Sequence, residues 1–582
     1  MDHYRIAARK TLENTDDSDS FLVNVERVKE ISLKTVWDDI HGHQGPKTDL
    51  KICEDLLVAQ TVSLHIQQED GLSDDDREAA NALIVWVTAV ILPFQVFEGV
   101  WEEFQLSSDE ARQQLSQKFK IARTKATLGL IALERLCKLI PLEDTEDPVN
   151  VIATLAAFTN PHDPWTTIAA ASISWSLLGE YGSAHPEDRS LVALSGDILE
   201  RFVKPSFSKT KTPAITSAGR KDLHPVKQPY FDPSTFDKAA KPWKYKDVSA
   251  ITVLNWVVQQ YKPSDCSTIE AQFPLLIPAI LSLIDDESLP YKAQGCKILY
   301  RLLSPLAEAK SDILKRTNLD SVFGDAITPC LLYLPTLTPE DQSLYLLQAA
   351  YPAIFSIIRT RFPSSPPSKQ LYHPAPSQRK REEQESQSRT NALTRVLRQS
   401  IISSYHHISS PHPSEDTYIS SFPHPQISTL LLNQLTIAMS ELGVDTVKHL
   451  QEIIPILTST LTNPFGTAYL PLLVAATECM QQLILSAWPR VWRWRAELLA
   501  GVCGCWLHVE EDWEDIKKSD DEQEDKKSQG PLELKETLKK CVQVLKAVLE
   551  EAGDDDDETS MDTDAEFKEL ADGDIRLREL FE

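Results

Sequence analysis

At 582 residues the chain exceeds the ~250–300 residues over which a single core grows, so it holds several domains or one long array. A composition of 42% hydrophobic and 25% charged residues is that of a folded chain, and its 18 glycines, about half of ordinary usage, leave few tight turns or phosphate-cradling loops. A formal net charge of -27 argues against nucleic acid or anionic membranes as partners, and nine cysteines, odd in number and mostly single, argue for reduced thiols over a disulfide framework.

The N-terminal residues have no apolar run behind their charges, so no secretory leader is expected and the compartment is read as the cytoplasm. Residues 1–204 contain helix-length apolar segments at 50–67, 77–92, 110–140, 149–158 and 165–178, with apolar residues three and four apart. Ala126, Leu130, Leu133 and Leu136, for example, share one face, leaving Lys125, Glu134 and Lys138 for water. Stretch 82–97, read as the most apolar, is interrupted and shorter than the ~20 residues of a bilayer span, which predicts a core helix.

Residues 205–247 are too rich in proline, lysine and small polar residues to bury a helix face and read as an extended connector. Its aromatics Tyr230, Phe231, Phe236 and Trp243 predict that the second half docks on the helices. Residues 248–362 resume the helical pattern at 248–261, 273–284, 290–306, 311–315 leading into 321–334, and 339–361. A flexible linker, 363–390, precedes C-terminal repeats over 391–510, with segments near 427–442, 446–461, 468–487 and 489–508. Residues 511–582 form an acidic tail with one amphipathic helix, 531–552, whose stripe is Leu534, Leu538, Cys541, Leu545 and Val548 between disordered acidic segments. Prolines fall mostly at the edges of apolar runs, no strand pattern intervenes, and paired helices recur at about 40 residues; this predicts an all-α, HEAT-like or armadillo-type solenoid.

Chemistry is sparse. Asp285 and Asp286 follow one apolar segment and precede Pro290, which suits capping of the next helix better than paired-carboxylate catalysis. Cys503, Cys505 and His508 form a C-x-C-x-x-H string, but a helical stripe explains them and a zinc site needs a fourth ligand. His406, His407, His412 and His424 read as loop residues without ligand spacing. The run "SAWPRVWRWRAELL" places Trp488, Trp492 and Arg495 on one face, with Arg490 and Trp494 displaced; core packing is favoured, a protein interface second and single-stranded bases third. Arg379, Lys380 and Arg381 suit a solvated linker or a nuclear import signal, which makes the nucleus a second compartment. Ser519 and Thr559, in acidic contexts, are candidate phosphorylation sites beside the plain reading of a solubilising charge run. No phosphate-loop, dinucleotide, nucleophile-elbow or H-E-x-x-H motif occurs, so neither an enzyme nor a cofactor or metal is expected.

Three runs within residues 273–361 carry a resemblance. The first is "FPLLIPAILSLIDDESLPYKAQGCKILYRLL", with Pro278, Leu283, Asp285, Asp286, Lys292, Gly295 and Cys296 in order. The second, "RTNLDSVFGDAITPCLLYLPTLTPEDQS", holds Thr317, Val322, Phe323, Leu334 and Pro335, and the third, "LLQAAYPAIFSII", holds Ala350, Tyr351 and Pro352. Together they resemble the Tel-two-interacting protein two family, subunits of the Triple-T (TTT) co-chaperone complex. Asn318 stands where relatives often carry glycine, and asparagine tolerates the left-handed backbone best after glycine.

The resemblance implies a noncatalytic scaffold that binds the first Tel-two-interacting protein and Tel-two. It would support maturation of phosphatidylinositol-3-kinase-related kinases, and with them DNA-damage and nutrient (TOR) signalling, alongside the ninety-kilodalton heat-shock chaperone and its adaptors. In this reading Asp285 and Asp286 are structural, Lys292 approaches them, and Gly295 permits close helix approach. An acidic helical solenoid also suits a karyopherin-like transport adaptor, and that alternative stays open.

Overall fold

The computed structural model describes residues 2–14, 31–42, 48–66, 72–93, 97–184, 190–210, 214–216, 219–223, 238–363, 376–409, 423–518, 529–553 and 563–581. Among these, 84% are helical and no strand forms, so the all-α prediction holds; one isolated bridge joins Ile215 and Lys221. The chain divides into two units, residues 1–323 and 324–582, with the division inside the expected 248–362 segment.

The first unit contains α1 (Asp2–Asn14), α2 (Leu33–Gly42), α3 (Asp49–Ile66), α4 (Asp74–Ile91), α5 (Val100–Leu106), α6 (Asp109–Lys118), α7 (Lys120–Leu139), α8 (Pro148–Ala156) and α9 (Ile168–Ala184). After these come α10 (Leu191–Ile198), α11 (Lys204–Phe207), α12 (Pro242–Tyr245), α13 (Ala250–Gln260), α14 (Cys266–Ile284), α15 (Leu289–Glu308) and α16 (Ile313–Thr317), with α17 (Leu319–Ile327) crossing the division. Helix starts follow local chemistry. Ser73, Ser108, Asp147 and Ser190 each accept a hydrogen bond from the backbone amide three residues on, and Pro148 occupies the first turn of α8, where its missing N–H costs nothing.

Helices α1, α3, α7 and α9 pack in one series of neighbours, and α2, α4, α8, α13 and α15 form links of a second. Ala126, Leu130, Leu133 and Leu136 of α7 are buried as their spacing predicts.

The second unit comprises α18 (Glu340–Arg361), α19 (Pro376–Arg395), α20 (Ser403–Ser409), α21 (Pro425–Leu442), α22 (Leu450–Leu461), α23 (Leu470–Ser486), α24 (Trp488–Val491), α25 (Arg495–Lys518), α26 (Gln529–Gly553), α27 (Thr563–Gly573) and α28 (Arg578–Phe581). Helices α18, α21, α23 and α26 neighbour one another in turn, as do α22 and α25.

Four expectations change. Part of the predicted flexible linker, 376–389, is helix α19, because its Glu, Gln and Arg side chains favour a helix without burying a face. The tail holds more than one helix: Phe567, Leu577 and Leu580 of the last 20 residues are buried, and Trp506 Nε1 donates to Arg576 O at 2.9 Å. In α26, Leu534, Leu538, Cys541 and Leu545 are buried and Val548 is half-buried. Prolines also enter helix interiors, at Pro274 and Pro278 of α14, Pro305, Pro352 and Pro455.

The fourth change concerns stretch 82–97, which is not the most span-like. Pro263–Ile284, Pro425–Leu461 and Gly466–Ser486 are each long and apolar enough to cross a membrane by length and composition, with 61%, 50% and 50% of their windows buried inside the fold.

Candidate functional site

The 273–361 runs lead to a buried cluster in the first unit. Asp286, whose carboxylate is fully buried, follows the C-terminus of α14. Its Oδ2 accepts from Lys241 Nζ at 2.7 Å, and its Oδ1 accepts from Lys244 Nζ at 3.0 Å and from Ser288 N at 3.0 Å. Both lysines come from the end of the 205–247 connector. Burial opposes the Asp286 charge, but the Lys241 bond, the Ser288 amide and the field of Lys244 prevail and hold the carboxyl below its usual range. For Lys244 burial likewise favours loss of the proton, and Asp286 overrides it to raise the ammonium pKa.

Aromatic rings close the cluster. Lys244 Nζ sits 5.0 Å from the centroid of Tyr291, which stacks on Trp101 at 4.7 Å and meets Trp243 edge-on at 5.1 Å and 83°. Trp243 lies parallel to Phe207 at 5.4 Å and donates from Nε1 to Thr210 Oγ1 at 3.2 Å. Behind Trp101 lies Asp163, also fully buried. Its Oδ1 accepts from Trp101 Nε1 and Asn160 Nδ2, each at 2.9 Å, and its Oδ2 accepts from Thr252 Oγ1 at 2.6 Å. Burial pushes Asp163 up to about 6 against these three donors. The cluster ties α5, the turn after α8, α12, α13 and α15 to one another. Its charges are answered and its rings covered, so it does the work of a clamp.

The capping role expected for the acidic pair is corrected. Ser288 is the N-cap of α15, and Asp286 bonds its amide in the turn before the helix instead of an orphan amide within it. Asp285 is the exposed C-cap of α14. Lys292 donates from Nζ to Ile284 O at 3.0 Å, closing the end of α14, while the ion pairs of Asp286 come from the connector. At Gly295 a Cβ would lie 2.8 Å from Ile284 Cγ1 and 2.9 Å from Ile284 N, so α14 and α15 approach where only glycine fits. Asn318 adopts φ 55° and ψ 27°, the left-handed turn.

The other predicted residues do not gather into this cluster. Thr317 donates from Oγ1 to Ile313 O at 2.7 Å, and its carbonyl accepts from Lys221 N at 3.1 Å. Phe323, Leu334, Pro335 and Tyr351 are buried, and Pro352 is half-buried. Trp488 is exposed and Trp492 and Trp494 are half-buried, so none of the three belongs to the core that was favoured for them. Arg493 covers Trp492 at 5.0 Å, and Arg495 donates to Glu566 Oε2 at 3.1 Å.

Cys503, Cys505 and His508 lie within α25, where the two cysteines point about 200° apart. Burial pushes the Cys503 thiol up to about 11 and the Cys505 thiol up to about 12. Among the described residues no group of three or more His, Cys, Asp or Glu is placed to hold a metal ion. Ser519, Thr559, His412, Tyr230, Phe231 and Phe236 lie outside the described residues.

Sequence reasoning missed Lys241, Lys244, Trp101, Asp163 and Tyr291. The available signal was "KPWKYK", a tryptophan between lysines in a stretch otherwise read as linker.

No curated protein and no solved structure matches the chain in the comparisons made. A family model does: the one described as the Tti2 family matches residues 151–468, which take in Asp163, Lys241, Trp243, Lys244, Asp286 and Tyr291 of the clamp, leaving Trp101 outside, and all three runs of the resemblance. With more than half its length matched, the chain belongs to the Tti2 family.

Proposed function

We propose that the chain is a noncatalytic scaffold subunit of the Triple-T complex, built as a HEAT-like or armadillo-type solenoid. It binds the first Tel-two-interacting protein and, with Tel-two, supports chaperone-dependent maturation and stability of phosphatidylinositol-3-kinase-related kinases, in the cytoplasm and also in the nucleus. The observation that carries this reading is the family match over residues 151–468. Serial packing of amphipathic helices within each unit agrees with it, since stacked helices bury their stripes on successive neighbours and leave long faces for another protein. Exposed apolar side chains such as Leu337, Ile168 and Trp488 supply area of the kind that association buries. The buried clamp keeps the scaffold rigid, and the mechanism needs neither nucleotide nor cofactor.

The test is affinity purification of the tagged full chain at moderate salt, with mass spectrometry and a nucleotide challenge of the bound material. Stoichiometric recovery of the other two Triple-T subunits, unaffected by nucleotide, is the expected result. Release of importin-class partners by a GTP-loaded small GTPase would replace the reading with a transport adaptor.

A further inference from the structure

A groove in the second unit is not used by anything described so far. Helix α19 passes through a π turn, Val396–Ile402, directly into α20. Helix α22 and the turn before it run alongside. Thr390 Oγ1 donates to Asp445 Oδ2 at 3.1 Å, Arg398 grips Glu452 with Nε at 3.1 Å and a terminal nitrogen at 2.6 Å, and the Tyr405 and Thr460 hydroxyls meet at 2.6 Å. Partner numbers rise together, so the two helices are parallel. Along this seam lies an open groove of about 770 Å³, walled on the α19–α20 side by Asn391, Arg395, Arg398, Gln399, Ser403 and His406, with Glu452 lining it from α22.

Four observations bear on what fits there. The stretch 376–409 carries six Lys and Arg against three Glu, in a chain whose net charge is -27. Arg395 is exposed in the groove, and among the described residues no carboxylate pairs with it. The π turn lies at the groove's centre; such turns interrupt the regular helical bonding and recur at functional sites. Beside Arg398 and Glu452, His449 is 6% exposed and its Nε2 has no hydrogen-bond partner.

We propose that this groove receives an extended acidic segment of a partner protein. A carboxylate of the segment pairs with Arg395 and a second shares Arg398 with Glu452, since a guanidinium has donors for both. Asn391, Gln399 and Ser403 offer amide and hydroxyl groups to the segment's backbone. From Asn391 to His406 the wall is about 22 Å long, which matches about 6–7 extended residues. A peptide fits better than a nucleic acid because Glu452 lies in the groove and the whole chain repels a continuous polyanion. The inference does not depend on which complex the chain joins.

The test measures fluorescence anisotropy of the full chain with a labelled peptide of about eight alternating Glu and Ala residues, and in parallel with a labelled single-stranded oligonucleotide. The variants are Arg395→Glu and, on the same helix outside the groove, Lys380→Glu. Saturable, salt-sensitive peptide binding that Arg395→Glu weakens about tenfold, with Lys380→Glu and the thermal midpoint of both variants unchanged, is expected. Absence of peptide binding, equal loss in both variants, no loss in either, or tighter binding of the oligonucleotide overturns the proposal. Self-association of the chain that Arg395→Glu abolishes would overturn it too, by giving the groove to a second copy.

Discussion

The two polar connectors look alike in composition and fold differently. In residues 205–247, Trp243 is fully buried, Lys241 and Lys244 neutralise Asp286, and Gly219, at φ 66°, lets the chain approach the Pro274 backbone so closely that a Cβ would meet its Cα at 3.1 Å. Lys221 adds a bond from Nζ to Ser321 Oγ at 2.8 Å. In residues 363–390 the described part is a helix whose side chains are mostly exposed, with Arg389 held against Glu441. One tryptophan and two well-placed lysines turn a connector into part of a core, because burial of the rings around Trp243 and an answered Asp286 charge together offset the chain entropy of ordering the residues that carry them. Without such residues, the other is ordered by helix propensity and by anchors at its C-terminal end, Arg389 on Glu441 and Thr390 on Asp445.

Breaking the first connector should cost the most. Asp286→Ala leaves two ammonium groups facing a buried void and should lower stability by about 3–5 kcal/mol; native-state hydrogen exchange over Ala250–Gln260 and Leu289–Glu308 measures it, and unchanged protection there would refute the clamp. The Asp286 contribution is present above the unfolded carboxylate pKa of about 4 and is lost as pH falls through its depressed folded value. Trp243→Ala should cost a similar amount, about 3–5 kcal/mol, through the cavity it leaves beside Phe207 and Tyr291.

Asp163 behaves in the opposite sense. Its folded pKa, about 6, lies above the unfolded value of about 4, so the folded state binds the extra proton between them and stability falls as pH rises through that window, by about 3 kcal/mol in all. Asp163→Asn keeps an acceptor for Trp101 and can donate to the Thr252 hydroxyl. Urea midpoints of wild type minus variant, taken from pH 4 to pH 7, should drop across the window and be flat above it.

Smaller effects sharpen the contrast. Gly295→Ala should destabilise by about 1–3 kcal/mol, since the Ile284 backbone cannot withdraw as a flexible side chain would. Gln384→Gly, on the exposed face of α19, should cost only about 0.5 kcal/mol and be visible as faster exchange within that helix. A loss as large as that of Asp286→Ala would mean that the second connector is also clamped.

Much of this was legible in order of distance along the chain. The 3.6-residue stripe of α7 is set by residues on one helix, so the sequence alone determined it, along with the all-α class; the left-handed turn at Asn318 and the close approach of α15 to α14 at Gly295 involve near neighbours along the chain and were legible through the family resemblance. The partners of Asp286 were not legible, because Lys241 and Lys244 lie over 40 positions away and a lysine in a polar stretch is ordinarily solvated. The docking of α27 and α28 was hidden for the same reason: acidic composition argues for disorder, and only a facing apolar surface with Trp506 beside it overrules that argument. The groove beside α22 likewise depends on two helices brought together from opposite sides of residues 410–422. Local periodicity and backbone sterics act within a few residues and can be read from sequence; which charges are buried, and against what, was decided by the tertiary structure, because desolvation and Coulomb energy depend on neighbours that folding brings from far along the chain.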